Sequence, residues 1–432
     1  AALIRQIRTM KEMGCDAIRT AHNMPSTWQM EICDSMGMMV MAESFDMWIY
    51  PKCKNGYALN FKQWADKDME NLVLNHRNHP SIIMWSIGNE IPEQWSEEGR
   101  NISKHLQDLC HKFDPTRPVT QGMDRAEEAL KSGFAQVMDV PGFNYRVHKY
   151  DKNIRQLPKG FLLGSETAST VSSRGVYKFP VEPSDSKKYA DGQCSSYDVK
   201  YCPWSNLPDD YLGEPSPYDE YWPSRSSYFG ICDLAGLPKD RYYLYRSHWR
   251  NDDPTLHVLP HWTFPGREGE TTPVYCYTSY PMAELFVNGK SQGRITHNPG
   301  SRLDRYRLRW NNVKYEPGEI RVVAYDYDGT PKAEKTIRTA GAPARIVLKA
   351  DRSSISSKGE DLAFVKFHVT GAAKFRAACN GDATSLVPFN STEMPLFSGE
   401  LVVVVEGMKH GTATLSVSAE GLPMATLPIT VE

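Results

Sequence analysis

The sequence has no long hydrophobic run, no excess of either charge, no paired cysteine motif and no glycine-rich phosphate loop. Nowhere in the 432 residues does an apolar stretch reach the length that spans a bilayer. No membrane partner is expected. Lys and Arg total 50 against 52 Asp and Glu, a net charge of −2. Proteins that hold nucleic acid or anionic surfaces usually show a strong basic surplus, so no nucleic-acid partner is expected either. Nine cysteines cannot all pair with one another, and none are spaced as CxxC. They read as mostly buried thiols, which points to a reducing compartment. No strand-like segment runs into a Gly-rich turn, which argues against a dinucleotide fold. The opening Ala1-Ala2-Leu3-Ile4 enters a helical pattern directly, with no secretory signal. Aromatics, by contrast, are plentiful, with 10 Trp and 22 Tyr. Such side chains serve sugar-binding faces and also large cores, and a core is the default reading.

The chain is too long for one core, so two or three domains are expected. The first half alternates helical and strand patterns. Leu3, Ile4, Ile7, Met10 and Met13 recur at helical spacing before Gly14. Ser26 and Gln29 form a capping-box pattern for a helix running to Gly37. Further helices are expected near residues 61–78 and 97–113. Between them lie short apolar runs, "CDAIRT", "MMVMAE", "SIIMWSIG", "PVTQ", "VMDVPGF" and "GFLLGS". Continuous rather than alternating apolarity marks parallel strands covered by helices. Polar residues follow several of these runs: His22-Asn23, Glu43, Asn89-Glu90, Asn144-Tyr145 and Glu166. A (β/α)8 barrel gathers all its strand ends at one mouth, so the barrel is preferred to a doubly wound sheet. After the Pro-, Ser-, Tyr- and Asp-rich stretch 178–240, alternating strands with Asn-Gly and Asp-Gly turns take over. The expected architecture is α/β plus all-β: a barrel over residues 1–252, then immunoglobulin-like β-sandwiches over 253–340 and 341–432.

Two carboxylates at strand ends carry the chemical signal. Glu90 closes "SIIMWSIGNE" and Glu166 closes "FLLGSE". Two glutamates about 5 Å apart cleave a glycosidic bond with retention, and a wider gap that admits water gives inversion. Asn89 is placed to donate to a sugar 2-hydroxyl. The plainer reading is that each glutamate is a helix N-terminal acid favoured by the helix dipole. For one glutamate alone that reading is preferred, and for the pair with Asn89 it loses ground.

These residues sit in segments that resemble glycoside hydrolase family two. "RNHPSIIMWSIGNE" (Arg77 to Glu90) resembles its acid/base signature, "AIRTAHNMPSTWQMEICDSMGMMVMAE" the stretch preceding it, and "FLLGSETAST" its nucleophile strand. "TPVYCYTSYPMAELFVNGKSQG" resembles the sandwich that follows the barrel in β-galactosidase-like members from gut-type bacteria. The resemblance implies Glu90 as acid/base and Glu166 as nucleophile, with Asn89, His22 and Tyr145 contacting sugar or orienting a carboxylate. Tyr145 hydrogen-bonds the nucleophile or packs in the wall. Trp48 stacks on a sugar face or packs in the core. Asp46 binds a hydroxyl or caps a loop. Arg19 pairs with a carboxylate beneath the site. The mechanism requires no cofactor and no metal; some relatives bind Mg or Na near the site, but their ligand pattern is not matched here.

The sequence also departs from that family. Its barrel has eight strands, whereas strands one and eight are not evident here. Leu207-Pro208-Asp209-Asp210 runs straight into Tyr211-Leu212-Gly213-Glu214-Pro215, where an aromatic strand is expected, and "DLAFVKFHVT" (Asp361 to Thr370) reads as two strands joined without their connection. These gaps suggest part of a larger molecule. The stretch "RSSYFGICDLAGLPKD" contains no Asn-x-Lys motif of the kind β-glucuronidases use to hold a carboxylate. The resemblance therefore implies a retaining, exo-acting β-galactosidase working by double displacement on oligo- or polysaccharides with terminal β-galactose. β-Glucuronidase and β-mannosidase are the alternatives within the family, and a non-catalytic carbohydrate-binding protein is the alternative outside it. A homo-oligomer in the periplasm or cytoplasm of a bacterium fits this reading.

Overall fold

A computed structural model describes residues 1–167, 170, 172–177, 179–181, 229–301, 304–358, 362–365, 369–371 and 373–432. Two compact units result, one of Ile7–Lys11 and Cys15–Ala168, the other of Ala1–Gln6, Glu12–Gly14 and Ser169–Glu432.

The first unit is built on a six-stranded parallel sheet in sequential order: β1 (Ala17–Arg19), β2 (Met39–Glu43), β3 (Ile82–Asn89), β4 (Val119–Met123), β5 (Val140–Asn144) and β6 (Leu163–Glu166). Sequential parallel order with a helix between most strands is the TIM-barrel pattern. The expectation of six parallel strands is met. Helices α2 (Thr27–Met36), α3 (Phe61–His76), α4 (Glu97–Phe113), α5 (Ala126–Lys131), α6 (Phe134–Val137) and α7 (Tyr150–Ile154) cover it, and α1 (Ala2–Met13) contributes Ile7–Lys11 to this unit. Ser26 Oγ accepts the Gln29 N–H at 3.2 Å to start α2, and Gly37 ends it at φ 66°, a left-handed conformation that suits glycine. α3 stops at His76, two residues short of the expected end. Ser96 caps α4 by accepting from the Gly99 N–H at 3.0 Å.

Apolar residues of these helices meet the sheet in one core: Met30 and Cys33 from α2, Met69, Leu72 and Val73 from α3, and Leu106 and Cys110 from α4. β3 shows how the strands serve two environments. Trp85 and Ile87 join that core, while Ser86 and Asn89 turn to polar partners. A register irregularity between Ser86 and Asn89 lets both Asn89 and Glu90 reach the strand end.

The second unit contains α8 (Asp240–Trp249) and two pairs of sheets. In the first pair, β10 (Lys290–Thr296), β9 (Met282–Val287), β12 (Glu319–Tyr325) and β13 (Pro331–Arg338) form one sheet. The other holds β11 (Leu308–Trp310), β8 (Val274–Thr278) and β7 (Leu256–Leu259). Both sheets feed one core that includes Val274, Cys276, Leu285, Trp310 and Val322. The β9–β10 hairpin turns on Asn288 (φ 47°) and Gly289 (φ 80°), as its Asn-Gly pair predicted. The last pair groups β14 (Ser354–Ile355), β20 (Leu422–Val431), β19 (Gly411–Ala419) and β16 (Val369–Gly371) against β15 (Leu362–Val365), β18 (Val402–Gly407) and β17 (Ala373–Cys379). β15 and β16 both come from "DLAFVKFHVT", yet they sit in different sheets. Arg174 is buried and clamps distant parts of this unit. It bonds Asp233 at 2.7 Å, Glu400 at 2.8 Å and the carbonyls of Asn380 and Phe397 at 3.2 and 3.0 Å.

Cys33, Cys110 and Cys276 are buried as expected, whereas Cys53 is exposed. The 207–215 stretch, and 225–228 of the segment searched for an Asn-x-Lys motif, lie outside the described residues.

Candidate active site

The strand ends of the six-stranded sheet converge on one polar cluster with Arg19 at its centre. Arg19 Nε and Nη2 grip Glu43 through both oxygens, at 2.6 and 3.0 Å. Its Nη1 donates to Glu166 Oε2 at 3.0 Å and its Nη2 to Asn89 Oδ1 at 2.7 Å. One side chain on β1 thus fixes groups at the ends of β2, β3 and β6. Burial opposes the Arg19 charge, but Glu43 and Glu166 outweigh it and hold the guanidinium more firmly protonated than usual. Glu43 is fully buried and also accepts from Ser86 Oγ at 2.6 Å and lies 2.8 Å from His22 Nδ1. A carboxylate oxygen can only accept, so His22 donates from Nδ1, while its Nε2 lies 3.5 Å from Asn89 Nδ2.

Glu90 and Glu166 face the same amide. Asn144 Nδ2 lies 2.9 Å from Glu90 Oε1 and 3.2 Å from Glu166 Oε2. Those two oxygens are therefore no farther apart than the two bonds laid end to end. That bound suits the separation of about 5–5.5 Å between carboxyl groups in retaining glycosidases better than the wider inverting range. Ser165 Oγ donates to Asn144 Oδ1 at 2.8 Å, which turns the amide nitrogen toward the glutamates. Tyr145 hydroxyl donates to Glu166 Oε1. Glu166 is thus oriented by Arg19, Asn144 and Tyr145 together.

Burial pushes the Glu90 carboxyl above its ordinary range; Asn144 opposes that shift, and the negative charges of Asp124 and Glu166 add to it. A carboxyl group with a raised pKa beside a carboxylate bound by a guanidinium is the division of labour that general-acid chemistry needs. Glu90 (φ 44°) and Tyr145 (φ 58°) both adopt the left-handed backbone region. Non-glycine residues pay of order 1–3 kcal/mol there, and such strain collects at functional sites. The Glu90 N–H is anchored on the Gly122 carbonyl at 2.7 Å.

The other sequence candidates divide. Asp46 belongs to the cluster: its Oδ1 accepts from Asn89 Nδ2 at 3.0 Å and Lys52 Nζ at 2.8 Å. Burial pushes its carboxyl up, but those bonds outweigh it and hold it below the usual range. Trp48 does not reach the site surface. It is fully buried, donates to the Ile87 carbonyl at 3.0 Å and packs on Phe61 and Phe134, which corrects the sugar-stacking option. Glu43 and Asn144 stood out as polar strand-end residues but not as site members. Lys52 and Asp124 gave no signal, since both sit in loops whose paths the pattern does not fix. Among the described residues, no group of three or more His, Cys, Asp and Glu is arranged to hold a metal.

Comparison with known proteins adds the family. Residues 1–189 match the model of the glycosyl hydrolases family 2 TIM barrel domain. Residues 269–333 match a domain of unknown function (DUF4982), and residues 364–428 match glycoside hydrolase family 2 C-terminal domain 5. The chain is 36% identical to the β-galactosidase BoGH2A of Bacteroides ovatus, covering 100% of the chain and 59% of that protein. That alignment extends over 517 positions, so the relative carries segments within the matched span that this chain lacks. A putative β-glucuronidase of Formosa agariphila is 29% identical, over 80% of the chain and 36% of its own length. Among solved structures, a β-glycosidase from Bacteroides vulgatus superposes with a TM-score of 0.81 at 29% identity, over 100% of the chain and 61% of that chain. The chain thus spans less than two thirds of the length of these relatives. Built on a parallel barrel sheet that carries this cluster, and matched along both its barrel and its last β domain, the chain belongs to glycoside hydrolase family two.

Proposed function

We propose that the protein is a retaining, exo-acting β-galactosidase that hydrolyses terminal β-galactosides by double displacement. The carrying observation is the bridge from Asn144 Nδ2 to both Glu90 and Glu166. Glu166, held by Arg19 and Tyr145, attacks the anomeric carbon. Glu90 gives its proton to the departing glycosidic oxygen as the C–O bond breaks. Water then attacks the galactosyl ester on Glu166, Glu90 takes the proton from that water, and Glu166 leaves as a carboxylate. Asn89 and His22 border the sugar space. The β domains are read as immunoglobulin-like sandwiches over 253–340 and 341–432.

Charge favours a neutral sugar over a uronic acid. The carboxylates of Glu43, Asp46 and Glu166 outnumber the cations of Arg19 and Lys52 in the cluster. A uronate would add another negative charge there. The similarity to a protein named as a putative β-glucuronidase keeps that second reading in view.

The test uses the full-length protein with a chromogenic β-galactoside and a 2-deoxy-2-fluoro-galactosyl inactivator. Glu166→Gln should cut turnover by several orders of magnitude, and peptide mapping should find the trapped sugar on Glu166. A wild-type protein inactive on β-galactosides, or a label on another residue, refutes the proposal. A preference for β-glucuronides would select the second reading.

A further inference from the structure

The site contains an ion pair that the double-displacement chemistry leaves unused. Lys52 Nζ donates to Asp46 Oδ1 and to the Asn89 carbonyl, both at 2.8 Å. Asn89 Nδ2 donates to the same Asp46 oxygen at 3.0 Å. Asp46 is therefore tied through Oδ1 alone. Among the described residues, no bond is recorded for its Oδ2. An ammonium has three hydrogens, and two of those on Lys52 are accounted for. The pair stays partly open to solvent, with side-chain exposures of 25% for Lys52 and 38% for Asp46. It is fastened through both the backbone and the side chain of Asn89, whose other bonds run to Arg19 and Asn144.

We propose that the Lys52–Asp46 pair is the element that selects the glycone, with Asp46 Oδ2 accepting from one sugar hydroxyl and Lys52 Nζ donating to its neighbour. This inference rests on the glycosidase reading of the same cluster. A donor and an acceptor held side by side match vicinal hydroxyls, each of which can donate and accept. Changing the orientation of one hydroxyl leaves a charged group without its partner. Sites built to hydrogen-bond a substrate hydroxyl discriminate strongly for this reason. The pair is electrically balanced, so it rewards a neutral sugar. A carboxylate in place of a sugar CH2OH would be drawn by Lys52 and opposed by Asp46. Burial pushes the Asp46 carboxyl up, but Lys52 and Asn89 hold it below the usual carboxylate range, which keeps that opposition in force at neutral pH. Lys52 and Asp46 are specificity residues here, apart from the two carboxylates that exchange protons and form the ester.

The experiment measures kcat/KM of the full-length enzyme on the aryl β-galactoside, β-glucoside and β-glucuronide sharing one leaving group. The wild type should prefer the galactoside. Lys52→Met should lower kcat/KM for the galactoside about tenfold or more, mainly through KM, and narrow its lead over the glucoside. Asp46→Asn, which removes the opposing charge, should raise the glucuronide relative to the galactoside. Lys52→Arg, which retains the charge and its donors, should keep most of the galactoside preference and serves as the control for folding. If Lys52→Met and Asp46→Asn lower all three substrates by one common factor, the pair is a structural brace and the inference is overturned. A wild type that cleaves the glucuronide best also overturns it, while leaving the glycosidase reading intact. A wild type that cleaves none of the three brings down both.

Discussion

At the scale of single residues, the decisive group is an amide. Asn144 donates toward both glutamates and toward Asn89, and Ser165 fixes its orientation. Asn144→Ala should lower kcat roughly a hundredfold, the usual effect of losing one preorganised donor, with little change in folding by circular dichroism. Glu90 offers a pH test with a definite sign. As the acid it must be protonated, so kcat/KM falls as pH rises through its raised pKa. Asp124 contributes to that raising. Asp124→Asn should therefore move the alkaline fall to lower pH, read from kcat/KM profiles of both proteins; a fall that stays put or moves upward contradicts this electrostatic account. Glu90 and Glu166 were legible because each ends an apolar run, and a carboxylate in that place is conspicuous. Lys52 was not, because a lysine in a loop carries no pattern until the chain's path brings it to Asn89.

At the scale of elements, β4 must pass close beneath the polar cluster. A Cβ on Gly122 would lie 2.7 Å from Asn144 Oδ1, 2.9 Å from Arg19 Nη2 and 3.0 Å from Asn89 Oδ1. Gly122→Ala should cost about 1–3 kcal/mol by overpacking, measured by denaturant titration, and should reduce activity because all three neighbours belong to the site. The end of α4 makes a second prediction. Asp114 accepts from Trp85 Nε1 at 3.1 Å and Arg117 at 2.7 Å, joining the helix end to β3. Burial pushes its carboxyl up, but bonds from Thr116 and Arg117 win and bring it down from 3.8 to about 2. A depressed carboxylate stabilises above its unfolded pKa and loses that effect as pH falls through its folded one. The stability gap between wild type and Asp114→Asn should thus be full at neutral pH and close between roughly pH 4 and 2. Helix periodicity placed α2 and α4 well from sequence, with a capping box for α2, since those signals are local. The register shift in β3 was hidden, because it depends on how β4 pairs with it.

At the scale of the whole molecule, the β-rich part was visible in its Asn-Gly and Asp-Gly turns, while the assignment of β15 and β16 to separate sheets emerged only from long-range pairing. Arg174 shows what binds that part together. Arg174→Met would strand the buried Asp233 carboxylate, and breaking such a pair costs about 3–5 kcal/mol. The expected outcome is an earlier unfolding midpoint of the full chain, with the first unit's secondary structure unchanged. The six-stranded sheet holds a different lesson. β1 and β6 are its two end strands, yet Arg19 on one reaches Glu166 on the other. Among the described residues, no peptide ladder spans that seam; a guanidinium does. The spacing of the β1 and β6 ends is accordingly a soft coordinate, governed by a few swivelling bonds, whereas Glu90 and Glu166 are joined through the stiffer amide ladder from β3 to β6. A bound sugar bridging the gap would act as a second clasp, and the rim should tighten around its own substrate.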